Sequence, residues 1–252
     1  MRSKEGKIEF AIIGAGRFGI FWGSHISKFY PVSFYDKINS KSKYIEKFGA
    51  WESLETCLKK DYIFLTIPIG RLAQFLKENN NKFQAGTVII DCASVKIPVL
   101  QWFEKFLPQD IYYAASHPLF GPDSAREGIQ GHTISIIPGH IPYYKYNTLV
   151  HIFADVMQLT VLNLSPEEHD RLMAFNLSLV HHIGRTFYDL QIYKLPLMMS
   201  GLKNINKISQ VVMNDSLELF QDFYHFNPYS EEVKEKFLEN FNKIYSMIKK
   251  HK

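Results

Sequence analysis

The stretch Ile8–Gly19, IEFAIIGAGRFG, decides the fold. An apolar β-rich run, IEFAII, stops at three glycines at positions 14, 16 and 19. From there the chain continues with helical spacing in GRFGIFWGSHISKF. In a strand–turn–helix unit of this kind each glycine has its own task. The first permits a tight turn, the second lets backbone approach a pyrophosphate, and the third lets the helix pack close to the sheet, with its free N–H groups facing the phosphates. Alone, such a motif is weak, and a glycine turn without a ligand is the competing reading. The context strengthens it, because the following run VSFYD ends at Asp36, 20 residues beyond Gly16. A carboxylate there accepts hydrogen bonds from both ribose hydroxyls and repels a 2′-phosphate, so NAD is expected over NADP. Lys37 and Lys41 stand near enough to soften that preference. The cofactor-binding candidates are Gly14, Gly16, Arg17, Phe18, Gly19 and Asp36, joined by Thr66 and Pro68 of TIPIG at the end of a later strand.

Working outward, short β-rich runs alternate with helical stretches from Lys7 to about Leu164. The runs YIFLTI, TVIIDC, IYYAAS, HTISIIP and TVLNLS follow the first two, separated by segments such as GRLAQFLKENN and IPVLQWFEKFL. Alternation of this sort implies βαβ units and a mainly parallel sheet covered on both faces. Beyond residue 164 the strand signal stops. Ser165–Tyr193 reads as one long helix, with Ser165 as N-cap, Pro166 in the first turn and Glu168 in capping-box position. Further helices follow, the last from about Ser230 to Lys249. The expected architecture is therefore α/β: a Rossmann-like domain over 1–164, followed by an all-α domain over 165–252. A helical segment of roughly 90 residues is small for an independent fold, so it is expected to pack on the first domain, on a second copy of itself, or on both.

Composition narrows the function. With 46% hydrophobic and 21% charged residues in 252, the chain has the profile of a soluble globular protein. The net charge of +4 comes from scattered lysines without the stripe that tracks a nucleic-acid backbone. The two cysteines, Cys57 and Cys92, read as reduced core thiols. No signal-peptide run precedes the first strand, and nowhere are there the ~18 consecutive apolar residues of a membrane span. Cytoplasm is the expected location. The histidines form no H-x-x-x-H or H-E-x-x-H pair, so no metal site is expected.

Ligands of open α/β sheets bind in the crevice beyond the carboxyl ends of the strands. Two groups of polar residues fall there. Asp91, Ser94 and Lys96 of DCASVK leave one strand, and His117 of ASHPLFGPDS (115–124) leaves another, entering a corner built from Pro118, Gly121 and Pro122. A nicotinamide should lie near Ser94 and His117. A histidine in such a corner can equally serve the shape of the turn.

GAGRFG, DCASVK, SHPLFGPDS, EEHDRLMAFNLSLVHHIGRTF and NDSLELFQDF stand in the order found in the prephenate and arogenate dehydrogenases of tyrosine biosynthesis. The chain resembles that family over nearly its whole length, and HPLFGP and HHIGR are most similar to the plant-type arogenate dehydrogenase branch. The resemblance implies a nucleotide-binding domain followed by a helical dimerisation domain, hence a homodimer, and a small-molecule dienol substrate. It makes His117 the general base on the substrate's ring hydroxyl, assisted by Ser94. It assigns His181 to the substrate and Arg185 to a substrate carboxylate, although an ion pair within a dimer suits Arg185 as well. Lys96 is a further substrate-binding candidate. Where many bacterial members carry a carboxylate-binding arginine, this chain has Lys207, which keeps the charge and loses the fork. Asp215, Glu218 and Asp222 could favour the ammonium of arogenate or simply be solvated helix charges. Two other classes stay open: another β-hydroxyacid-type dehydrogenase, whose usual helix lysine is absent from Ser165–Asp189, and a non-catalytic dinucleotide sensor.

Overall fold

A computed structural model describes residues 7–38 and 41–249. The chain divides into two compact units, residues 1–165 and 166–252. In chain order the first contains β1 (Phe10–Ile13), α1 (Arg17–Ile26), β2 (Val32–Tyr35), α2 (Ser42–Ile45), β3 (Ala50–Trp51), α3 (Leu54–Cys57), β4 (Tyr62–Leu65), α4 (Ile69–Asn79), β5 (Val88–Asp91), α5 (Ile97–Phe106), β6 (Tyr112–Pro118), β7 (Thr133–Pro138), α6 (Tyr143–His151) and β8 (Thr160–Leu162). The strands form one sheet in the order β3-β2-β1-β4-β5-β6-β7-β8. Every neighbouring pair is parallel except β6 and β7, which run antiparallel. The expected Rossmann-like, mainly parallel sheet is thus borne out. Because β1 lies between β2 and β4, the strand order reverses there. A crevice opens beyond the carboxyl ends at such a switch point.

Strands buried on both faces read as unbroken apolar runs, and FAII, YIFL and VIID are buried throughout. Phe10, Ile12, Phe34, Phe64 and Ile90 put their side chains on one face, where Trp22 and Phe153 pack among them. Helix α1 buries Gly19, Trp22, Gly23 and Ile26, one stripe at helical spacing. Successive side chains of β6 and β7 alternate between the two faces as the pleat demands, Ala114, Ile134 and Ile136 joining that core and His117 the opposite face. There the register sets His117 against Ser135. His117 therefore sits inside an antiparallel strand rather than beyond its end, because the pairing with β7 continues through Pro118.

The second unit holds α7 (Pro166–Met173), α8 (Val180–Asp189), α9 (Ser200–Val212), α10 (Leu217–Phe226) and α11 (Ser230–Lys249). Helices α7 and α8 are joined without a break by a π-helical turn over Ala174–Leu179. The long helix expected from Ser165 to Tyr193 starts with Pro166 and stops at Asp189. Gln191, at φ 55°, adopts a left-handed conformation that cannot continue it. Gly184 lets α8 and α9 touch: a Cβ there would lie 2.6 Å from Val212 Cγ2, and Ser209 Oγ donates to the Gly184 carbonyl at 2.8 Å. No helix among the described residues is long and apolar enough to cross a membrane.

Candidate functional site

The glycine turn has the geometry of a phosphate cradle. Gly14 sits at φ +107°, and a Cβ on it would meet the Thr66 carbonyl oxygen at 2.6 Å. A Cβ on Gly19 would fall 1.9 Å from the Gly14 carbonyl oxygen and 2.6 Å from Thr66 Oγ1, so only glycine lets α1 start this close to the sheet. Gly16 differs. Nothing lies within 4 Å of its would-be Cβ, so backbone is bared to open space at the first turn of α1. Thr66, expected at the cofactor, spends its hydroxyl on the carbonyls of Gly14 (2.7 Å) and Ile13 (3.2 Å) and so braces the turn. Pro68 precedes the first residue of α4. Phe18 stacks on Trp22 with ring centroids 6.1 Å apart.

Asp36 reaches the same turn from β2. Its Oδ2 accepts from the Ala15 N–H at 2.7 Å and its Oδ1 from the Ile38 N–H at 2.9 Å. A carboxylate offers about four lone-pair positions, so acceptor capacity remains for a ribose diol. Lys41 Nζ donates to the Ala15 carbonyl at 3.3 Å, which sets a cation on that rim.

The loop after β6 closes on the glycine turn. Arg17 Nη2 pairs with Asp123 Oδ2 at 2.5 Å, and Phe120 packs against Phe21 and Trp22 with centroids 6.2 Å from each. The HPLFGPDS segment and the start of α1 are thereby clasped at one rim of one sheet. Asp123 was legible in that quoted segment, but nothing in its spacing pointed to Arg17, more than a hundred positions away.

Behind His117 lies a buried ionic network. The Lys96 ammonium contacts Asp91 Oδ2, both side chains being fully buried, and donates to the Ser116 carbonyl at 2.6 Å. Asp91 accepts from the Ala93 N–H (2.8 Å) and the Ser116 N–H (3.2 Å), and Ser116 Oγ donates to the Asp91 carbonyl at 2.6 Å. Burial pushes the Asp91 carboxyl up, while Lys96 and the two amides pull it back. The backbone that carries His117 is thus held by both members of the pair. Lys96, expected to bind substrate, has its ammonium turned inward, where it positions strand ends. Ser94 lies half-buried in the loop that this network stitches to β6, and His117 is itself buried. The thiols of Cys57 and Cys92 are free and both are pushed up by burial, Cys57 to about 12, as befits inert core groups.

In the helical unit Arg185, expected at a substrate carboxylate, meets backbone carbonyls. Its Nη2 donates to the carbonyls of Val212 (3.3 Å), Asp215 (2.8 Å) and Ser216 (3.4 Å), at the end of α9 and the turn into α10, and its guanidinium lies over the Phe220 ring at 5.1 Å. A guanidinium at a helix C-terminus satisfies carbonyls that have no intrahelical partner and opposes the dipole. The HHIGR motif therefore reads as helix-packing hardware: Gly184 for the close crossing, Arg185 for the cap. His181 is buried between Phe220 and Phe223, with Nε2 3.5 Å from Asp215 Oδ2 and Nδ1 without a partner among the described residues. Lys207 is exposed on α9 and makes no ion pair among the described residues.

Comparison with known proteins places the fold beside that of solved dehydrogenase structures. Residues 31–138 match the family model described as prephenate dehydrogenase, nucleotide-binding domain, and residues 186–252 match that described as TYRAAT1-like, C-terminal domain. Arogenate dehydrogenase 1, chloroplastic, of Arabidopsis thaliana is 24% identical over 96% of this chain and 39% of its own length. The probable arogenate/prephenate dehydrogenase of Methanocaldococcus jannaschii is 23% identical over 83% of this chain and 49% of its own. This chain thus spans less than half the length of those curated relatives. Among solved structures, prephenate dehydrogenase from A. aeolicus, in complex with hydroxyphenyl propionate and NAD+, superposes with a TM-score of 0.79 at 18% identity, covering 99% of this chain and 93% of that one. Synechocystis arogenate dehydrogenase gives 0.72 at 15% identity, covering 97% and 93%. The resemblance read from the five motifs is borne out by these matches.

Proposed function

We propose that this chain, whose residues 31–138 match the nucleotide-binding domain of prephenate dehydrogenase, carries out the NAD-dependent oxidative decarboxylation of prephenate to 4-hydroxyphenylpyruvate, or of arogenate to tyrosine. One observation carries the reading: the segment bearing His117 is clasped to the glycine turn by the Arg17–Asp123 pair and by Phe120. A base and a dinucleotide turn that share a rim can act on one substrate carbon.

Gly16, in the turn that Gly14 and Gly19 make possible, lets the backbone hold the pyrophosphate, and Asp36 holds the ribose, whose 2′-hydroxyl it favours over a 2′-phosphate. Bound NAD supplies the hydride acceptor. His117 takes the proton of the ring hydroxyl as hydride leaves the same carbon, and Ser94 assists as a hydrogen-bonding neighbour. A neutral imidazole has the basicity this transfer needs near neutral pH. The ring ketone so formed is conjugated to the carbon bearing the carboxylate. The bond to carbon dioxide breaks, its electron pair flows through the ring onto the ketone oxygen, and the resulting phenolate regains a proton. Lys207 and His181 are the helical unit's candidates for the substrate's carboxylates. The same unit carries the proposed homodimer contact: Phe237, Phe241, Ile244, Tyr245 and Ile248 of α11 form an exposed apolar stripe.

The test is turnover of prephenate and arogenate with NAD and NADP, followed by reduced-nicotinamide absorbance, for the native chain and His117→Asn. Prephenate with NAD should be fastest. The variant should lose about 10²–10⁴-fold in kcat, the usual share of a general base, while its Kd for NAD stays within about twofold. Undiminished turnover in the variant would remove His117 from the chemistry, and a strong NADP preference would overturn the assignment of Asp36.

A further inference from the structure

Asp36 and Lys41 bracket one residue of the glycine turn. The carboxylate accepts from the Ala15 N–H at 2.7 Å, and the Lys41 ammonium donates to the Ala15 carbonyl at 3.3 Å. Both charged groups therefore stand at the rim where the ribose of a bound dinucleotide is read. An ammonium has three donors. Lys41 spends one on that carbonyl, is exposed, and makes no ion pair among the described residues. Lys37, next to Asp36 in the chain, is exposed too and makes neither a hydrogen bond nor an ion pair among the described residues. We propose that Lys41 is a specificity-determining residue: its ammonium takes the 2′-phosphate of NADP and gives the chain a second, weaker dinucleotide beside NAD.

The inference rests on the reading of the glycine turn as a dinucleotide cradle and concerns only which dinucleotide that cradle accepts. A carboxylate beside the ribose repels a 2′-phosphate, which carries about −1.5 to −2 charges near neutral pH. Two features weaken that repulsion here. Asp36 gives one oxygen to the N–H of Ala15 and the other to the N–H of Ile38, at 2.7 and 2.9 Å, and both dipoles oppose its charge. Lys41 then sets a full positive charge at the carbonyl of the same residue whose N–H holds the carboxylate. A lysine meets phosphate as a compact point charge on a flexible stem. The 2′-hydroxyl of NAD is neutral and offers that charge little, so the lysine acts on NADP far more than on NAD. Asp36 still repels the phosphate, which leaves NAD the tighter of the two.

The experiment is titration calorimetry with NAD and with NADP, without substrate, on the native chain, Lys41→Gln, Lys41→Arg and Lys37→Gln. A melting curve for each shows that it is folded; Lys41 is exposed, so its midpoint should stay native. The native chain should bind both dinucleotides. In Lys41→Gln the Kd for NADP should rise about tenfold, the size of a lost hydrogen bond to a charged group, while that for NAD stays within about twofold. Lys41→Arg keeps a cation and should keep NADP within about threefold of native. Lys37→Gln should alter neither. Added salt should weaken NADP more than NAD in the native chain, and that difference should shrink in Lys41→Gln. An NADP Kd in Lys41→Gln within about twofold of native, an equal loss of both dinucleotides, or NADP weakened by Lys37→Gln in its place would each overturn the inference. So would a native chain that binds NAD and not NADP. A native chain that binds neither would instead sink the cradle reading, which separates the two failures.

Discussion

Lys96→Met tests the buried network behind His117. The substitution preserves length and apolar packing but takes one charge out of a fully buried pair, leaving Asp91 with the N–H groups of Ala93 and Ser116 and depriving the Ser116 carbonyl of the lysine. Breaking one side of such a pair typically costs about 3–5 kcal/mol, because an uncompensated charge stays in the interior. For a chain of this size each kcal/mol moves the thermal midpoint about 2–4 °C, so a fall of roughly 6–20 °C is expected at pH 7.5. Burial already pushes the Asp91 carboxyl up, and removing the nearby ammonium pushes it further. The folded variant then holds its proton to higher pH than the unfolded chain, which releases it near the ordinary carboxylate value of about 3.9. Its stability contribution is full below that value and is lost as pH rises toward the folded value, by about 1.4 kcal/mol per unit while the folded carboxyl stays protonated. The deficit against the native chain should therefore be clearly smaller at pH 5.5 than at pH 7.5, and Asp91→Asn/Lys96→Met should recover much of it. Scanning calorimetry at both pH values decides the matter. A variant melting within about 2 °C of native at pH 7.5, or one whose deficit ignores pH, would refute the account of the pair as an ionic strut.

Two further perturbations separate structure from binding. Gly19→Ala cannot fit beside the Gly14 carbonyl and should lower both the thermal midpoint and NAD affinity, whereas Gly16→Ala meets no atom within 4 Å and should leave stability within about 0.5 kcal/mol while weakening NAD at least roughly tenfold by filling the cradle. Isothermal titration beside a melt distinguishes them, and equal effects of both would contradict the cradle. If the exposed stripe of α11 is a dimer contact, Phe241→Glu/Ile244→Glu should halve the mass seen by analytical ultracentrifugation; a native chain that already sediments as a monomer would dispose of that contact.

How much of this was legible beforehand depends on the range of the forces involved. GAGRFG announced its turn because the constraint is steric and local: Gly14 needs a positive φ, and Gly19 lies against the turn five residues earlier. The parallel sheet followed from strand–helix alternation, since buried strands must be apolar throughout and parallel strands need a crossover. Charge type, in contrast, did not reveal destination. Lys96 and Arg185 were both expected at a ligand, and each donates to backbone carbonyls inside its own unit. A cation's partner is set by what folding brings beside it, and those carbonyls lie 20 and 27–31 positions away.

The linear chain by itself determined the βαβ pattern, the glycine cradle, the acidic residue after β2 and the presence of a histidine in a proline-bound corner. Tertiary structure alone decided that this histidine stands in an antiparallel strand facing Ser135, and that Arg17 reaches Asp123. Short-range sterics and periodicity are written in neighbouring residues. Cross-strand register and long-range ion pairs come into being only when distant segments share one sheet edge.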